Sequence, residues 1–173
     1  FPFLFITIAC GAVSGFHALI SSGTTPKMLA NEGEARLIGY GGMLMEAGVA
    51  IMALIAAAVL QPGVYFAMNS PAGVIGTTAD SAAQAISQWG FMVTPELLTQ
   101  TARDIGESSI LSRAGGAPTL AVGMAQILHG LVSGEGMMAF WYHYAILFEA
   151  LFILTTLDAG TRVGRFMIQE LLG

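Results

Sequence analysis

Three stretches of the chain run for a full membrane thickness with almost no formal charge, and they decide what it can fold into. Phe1–Gly23 carries none, Leu37–Leu60 carries only Glu46, and Met137–Leu157 carries only Glu149, beside His143. About 20 apolar residues carry a helix across a bilayer core, so each stretch reads as a span. A soluble fold cannot absorb three such runs. Only 10% of the 173 residues are charged and 55% are hydrophobic, whereas soluble domains carry roughly a quarter charged residues. A lipid bilayer removes the conflict, because apolar side chains then face outward while helices satisfy their own backbone. The expected fold class is all-α, with polytopic membrane helices.

A fourth segment, Ala117–Val132, is apolar but short, with Pro118, Gln126 and His129 inside it. Basic residues near span ends favour the cytoplasmic side. If this segment does not cross, Lys27, Arg36, Arg162 and Arg165 share that side, against Arg103 and Arg113 opposite. If it crosses, the count reverses. The sequence therefore predicts three crossings, over residues 1–23, 37–60 and 137–157. An external helical loop fills 61–136, with a re-entrant or surface helix at 117–132. Within that loop, Pro62, Gly63, Asn69 and Pro71 predict an irregular stretch. Thr78 can cap a helix running to about Trp89 and stopped by Gly90; Thr94-Pro95-Glu96 starts another, ended by Gly106. The chain opens Phe1-Pro2-Phe3 inside an apolar run and closes at Gly173 just after an amphipathic stretch. It is expected to be an interior fragment of one transmembrane domain, with the remaining spans of a longer protein as its first partners.

Polar groups inside apolar spans carry a cost and so mark candidate sites. In the first span, Thr7, Cys10, Ser14, His17 and Ser21 recur at three- and four-residue spacing around Gly11-Ala12-Val13-Ser14-Gly15. A helix broken there exposes backbone to a substrate at mid-membrane; the competing reading is close helix packing through a Gly-xxx-Gly pair. Ser14, Gly15, His17, Ser21 and Ser22 are the substrate-binding candidates. In the second span, Glu46 shares a face with Gly39, Gly42, Ala50, Ala53 and Ala57. Carboxyls in hydrocarbon favour the neutral form and can take up and release a proton. Glu46 and Glu149 are thus the proton-coupling candidates, with a permanent hydrogen bond to a neighbouring helix as the alternative at Glu46. His143 lies off the Glu149 face, so the two form no relay. Thr155, Thr156 and Asp158 offer hard oxygen ligands to a cation; helix capping and pairing with Arg162 are the competing roles for Asp158. Phe140, Trp141, Tyr142 and Tyr144 read as an interfacial aromatic belt.

Other classes find little support. The formal net charge of −5 provides no basic stripe, so no nucleic acid partner is expected. One cysteine forms no internal disulfide framework. No His-Glu-x-x-His, Gly-x-Ser-x-Gly or phosphate-loop motif is present, and the three histidines lack metal-ligand spacing. Neither an enzyme, a resident metal nor a cofactor is expected.

The run Gly15-Phe16-His17-Ala18-Leu19-Ile20-Ser21-Ser22-Gly23-Thr24-Thr25-Pro26-Lys27-Met28 is specific. So are Ile38–Ala47, Pro62–Asn69, Met138–His143, Phe148–Thr155 and Asp158–Arg162. Together they closely resemble the carbon starvation protein A family of bacterial inner-membrane transporters; Asp80–Arg113 is the least distinctive stretch. The resemblance implies proteins several times this length that import small nutrients during carbon limitation. The nutrient is expected to be pyruvate with a proton, or short peptides. It also implies a LeuT-like inverted-repeat fold and a coupling proton, with sodium as the alternative ion. A transporter-like nutrient sensor is the reading from a different class.

Overall fold

The computed structural model describes residues 2–12 and 20–173, and among these every regular element is helical. They are α1 (Pro2–Ala12), a π-helical turn (Ile20–Thr24), α2 (Thr25–Met28), a 3₁₀ turn (Glu32–Glu34), α3 (Ala35–Val59), α4 (Pro62–Asn69) and α5 (Ala72–Ile75). Then follow α6 (Ala79–Gln88), α7 (Pro95–Asp104), α8 (Gly116–Leu131) and α9 (Met137–Leu172). Two of these reach spanning length with low charge: Glu32–Val59, which includes α3, and α9. Of the first predicted span, α1 and the π-helical turn are seen; residues 13–19, with the Gly11–Gly15 break, lie outside or at the edge of the described residues.

The chain divides into two compact units, Gly48–Ala150 and Phe1–Ala47 with Leu151–Gly173. The Gly48–Ala150 unit has a core of its own. Met68, Ile75, Ile86, Leu98, Ile105, Ile110 and Val122 are its largest fully buried side chains. α4 packs on α6 and α8, while α5 and α7 also pack on α6. Local chemistry fixes the helix ends as the sequence predicts. Thr78 and Ser81 form a reciprocal capping box at the start of α6, and Thr94 Oγ1 accepts from the Leu97 amide at the start of α7. Gly90 and Gly106 leave these helices at φ 87° and 77°, where a side chain would be strained. α8 approaches α3 so closely that a Cβ on Gly123 would overlap the Ala56 carbonyl.

The irregular stretch predicted from Pro62, Gly63, Asn69 and Pro71 is instead two helices, α4 and α5. Pro62 stands at the first helical position, where its missing N–H costs nothing. Gly63, Val64, Ala67 and Met68 then bury at helical spacing, and this burial outweighs the weak propensity of glycine. The aromatic belt also divides. Phe140, Trp141 and Tyr144 cluster at 5.0–6.5 Å between ring centroids, but Tyr142 turns inward and is 2% exposed. Its hydroxyl accepts from Arg113 at 3.4 Å, and Arg113 also pairs with Glu107 at 2.8 Å. The Glu107 hydrogen bond raises the pKa of Arg113 above its ordinary value, so this guanidinium stays cationic at any working pH.

The second unit is built differently. Among its described residues only Thr24 is buried. Leu37, Leu44, Met45, Leu151 and Phe152 all stand exposed. α2 is tied to the end of α9 by polar contacts. Lys27 pairs with Glu170 and sits 5.3 Å above the Phe166 ring, and Arg162 lies 3.9 Å from the Met28 sulfur. α9 does not stop where the last predicted span does: it continues through Asp158, Gly160 and Gly164 to Leu172.

Candidate functional site

The structure brings one of the proposed ionisable residues into a cavity. Glu149, on α9, lines a space of about 370 Å³ together with Ala53 and Ala57 of α3, Tyr65 and Asn69 of α4, and Gly115, Gly116, Thr119 and Leu120 at the start of α8. Small side chains on α3 and at the Gly115-Gly116 turn create the space. Asn69 fixes the turn: its Nδ2 donates to the Tyr65 carbonyl and to Thr119 Oγ1, each at 3.0 Å, and its Oδ1 accepts from the Gly115 amide at 3.4 Å. Thr119 Oγ1 in turn donates to the Gly115 carbonyl at 3.1 Å. Asn69 and Thr119 thus use their hydrogen-bonding groups on one another and on backbone.

Glu149 is the exception. Its Oε2 is buried and finds no hydrogen-bond partner among the described residues. An unsatisfied buried polar atom costs about 1–3 kcal/mol, and a carboxyl in hydrocarbon about 2.5–3.5 kcal/mol on insertion scales. Glu149 as a whole is half-buried, and a carboxyl so placed beside a cavity is a candidate proton or ligand site.

The other proposed residues are placed elsewhere. Ser14, Gly15 and His17 lie outside the described residues. Ser21 and Ser22 are exposed in the π-helical turn, and neither is without a partner. Glu46 stands on an exposed face of α3 and also has a partner; nothing lies within 4 Å of a Cβ built at Gly39 or Gly42 on that face. Thr155 Oγ1 donates to the Phe152 carbonyl at 2.6 Å, and Thr156 is exposed on α9. Asp158 lies in mid-helix, so it caps no helix end, and its carboxylate pairs with Arg162 at 2.9 Å. No group of three or more His, Cys, Asp or Glu side chains suited to a metal occurs among the described residues. Sequence reasoning missed Asn69 and Thr119. Their signal was faint: Asn69 follows Tyr65 by four residues, one helical turn, in a stretch whose prolines and glycine point to a loop.

The sequence model of carbon starvation protein CstA matches residues 1–173. The chain belongs to the carbon starvation protein CstA family. Among curated CstA-family relatives, the peptide transporter CstA of Escherichia coli (strain K12) is 72% identical over all of this chain and 25% of that protein. The pyruvate/proton symporter BtsT of the same organism is 60% identical over all of this chain and 27% of that protein. The peptide transporter CstA of Bacillus subtilis (strain 168) is 45% identical over 99% of this chain and 26% of that protein. The chain therefore spans about a quarter of the length of these CstA-family relatives. No solved structure matches it.

Proposed function

We propose that this chain is part of a multi-pass secondary transporter of the bacterial inner membrane. The transporter imports a small nutrient during carbon starvation, with pyruvate carried together with a proton as the leading substrate. Glu149 carries the proposal. It is a carboxyl on an apolar helix of spanning length, with an oxygen that has no partner among the described residues, beside a mainly apolar cavity. Protonation lets such a group shed its charge in low dielectric, the step a proton-coupled carrier repeats each cycle. The 60% identity to a protein named pyruvate/proton symporter supports the substrate and the ion together. Short peptides are the second reading, favoured by the relatives named peptide transporter.

In this proposal the fold of the whole protein is LeuT-like, with crossings at 1–23, 37–60 and 137–157 and the 61–136 region external. The 117–132 segment is re-entrant or surface-lying there. Ser14, Gly15, His17, Ser21 and Ser22 contact substrate, Glu46 is a second proton carrier, and Thr155, Thr156 and Asp158 serve a coupling cation. The test uses the full-length protein in proteoliposomes, with labelled pyruvate or dipeptide and an imposed inward proton gradient. Pyruvate is expected to accumulate only with the gradient, and Glu149→Gln is expected to abolish accumulation. Accumulation that ignores the gradient, or persists in Glu149→Gln, removes the proton-coupled reading; accumulation of dipeptide alone moves the substrate to peptides.

A further inference from the structure

Among the described residues of α9 only Tyr142 and Ala145 are buried, and Glu149 follows them on the same stripe. Spacings of three and four residues put all three on one face, with Glu149 two turns, about 10 Å, beyond Tyr142. Met138, Trp141 and Ile146 pack on the core from the flanks of this seam. Apolar contacts of that kind are non-directional, so they bury area without fixing the rotation of a helix. The directional contact is polar. Arg113 Nη1 donates to the Tyr142 hydroxyl at 3.4 Å, while its Nη2 donates to Glu107 Oε2 at 2.8 Å. Glu107 is itself fixed, because its amide donates to the Ala102 carbonyl of α7 at 2.8 Å.

The backbone that carries Arg113 is held at a cost. Ser112 adopts φ 53°, in the left-handed region that residues with a side chain avoid, and its amide donates to the Ala67 carbonyl of α4 at 3.0 Å. Ser112 Oγ is buried with no partner among the described residues. Backbone strain persists only where the surroundings over-determine it, and it clusters at functional sites. Two residues after Arg113 the same strap reaches the cavity, where Gly115 gives its amide to Asn69 and lines the space that Glu149 lines from α9. One short segment thus grips α9 through Tyr142 and supplies a wall of the cavity. We propose that Arg113 is a positioning residue, which holds α9 through Tyr142 at the rotation that turns Glu149 into the cavity. Without the Arg113 fork the seam is apolar, and α9 is free to turn the carboxyl away from the Gly115-Gly116 wall. The inference takes Glu149 as the working group from the reading above and adds the residue that aims it.

The test treats the full-length protein in membranes with a hydrophobic carbodiimide, which reacts with protonated carboxyls, and reads modification at Glu149 and Glu46 by mass spectrometry across pH. Wild type is compared with Arg113→Ala, Arg113→Lys and Tyr142→Phe. Arg113→Ala is expected to accelerate labelling at Glu149 about tenfold or more, the factor lost with a hydrogen bond to a charged group. Its pH midpoint at Glu149 is expected to move by about one unit. Tyr142→Phe, which keeps the buried ring, is expected to do the same to a smaller extent. Arg113→Lys, whose single ammonium cannot span both partners, is expected to fall between Arg113→Ala and wild type. Glu46, in the other unit, is expected to keep its wild-type rate in all three. Unchanged labelling at Glu149 in Arg113→Ala, or an equal rise at Glu46, overturns the inference. If Arg113→Ala fails to fold, Tyr142→Phe decides alone. Proton-driven uptake by the wild type is scored separately: its absence, with the labelling shift present, removes the transport reading and leaves the positioning of Glu149 standing.

Discussion

The Gly48–Ala150 unit has capped helices around side chains it buries itself, although Ile51, Leu54, Leu131 and Leu147 stand exposed on it. Phe1–Ala47 with Leu151–Gly173 buries only Thr24 among its described residues and leaves leucines, methionines and phenylalanines exposed. Both are helical and come from one chain, so helix formation is not what separates them. Both expose apolar side chains, and the difference is that only the first also buries a core among its described residues. In the first unit Ile75, Ile86 and Ile105 meet one another's neighbours in a common core. In the second, the helices satisfy their own backbone and direct side chains outward, as a bilayer or further spans require. Hydrophobic content alone therefore says little about which part of such a protein is a folded core.

The comparison can be broken by mutation, scored as melting temperature of the full-length protein in detergent. Ile105→Ala should do most damage, costing about 2–5 kcal/mol, because it empties a fully buried position. Gly123→Val should follow at about 1–3 kcal/mol, since its side chain runs into the Ala56 carbonyl. Thr78→Ala removes the cap of α6 and should cost about 1 kcal/mol, with Thr78→Ser retaining most of the stability. Met45→Ala belongs to the other unit and is 75% exposed; it should change stability by less than about 0.5 kcal/mol. A loss at Met45 as large as that at Ile105 would show that another span covers this face instead of lipid.

The same contrast explains what could be read from the sequence. Helix caps are local, so Thr78, Gly90, Thr94 and Gly106 announced their roles correctly. Long uncharged runs are also local, and two of the three expected spans correspond to α3 and α9. Burial is not local. The Pro62–Asn69 stretch carries breakers in its sequence and becomes a helix because Val64, Ala67 and Met68 find a core to enter. Tyr142 sat among aromatic neighbours that suggested a belt, yet α9 turns it inward toward Arg113. Glu149 could be singled out as a charge in an apolar run, but its cavity could not, because the walls come from α3, α4 and α8. Asn69 and Thr119 are 50 residues apart and meet only through the fold.

The close approach of Gly123 to the Ala56 carbonyl also bears on the cavity. Only a residue without a side chain at 123 lets α8 lie this near the α3 backbone. The Asn69–Thr119 hydrogen bond pins α4 to the same assembly. Three walls of the Glu149 cavity thus hang on these two contacts, and the remaining wall is α9, which carries the carboxyl. A substitution that displaces α9 from the other three therefore changes the shape of the cavity and the position of Glu149 together.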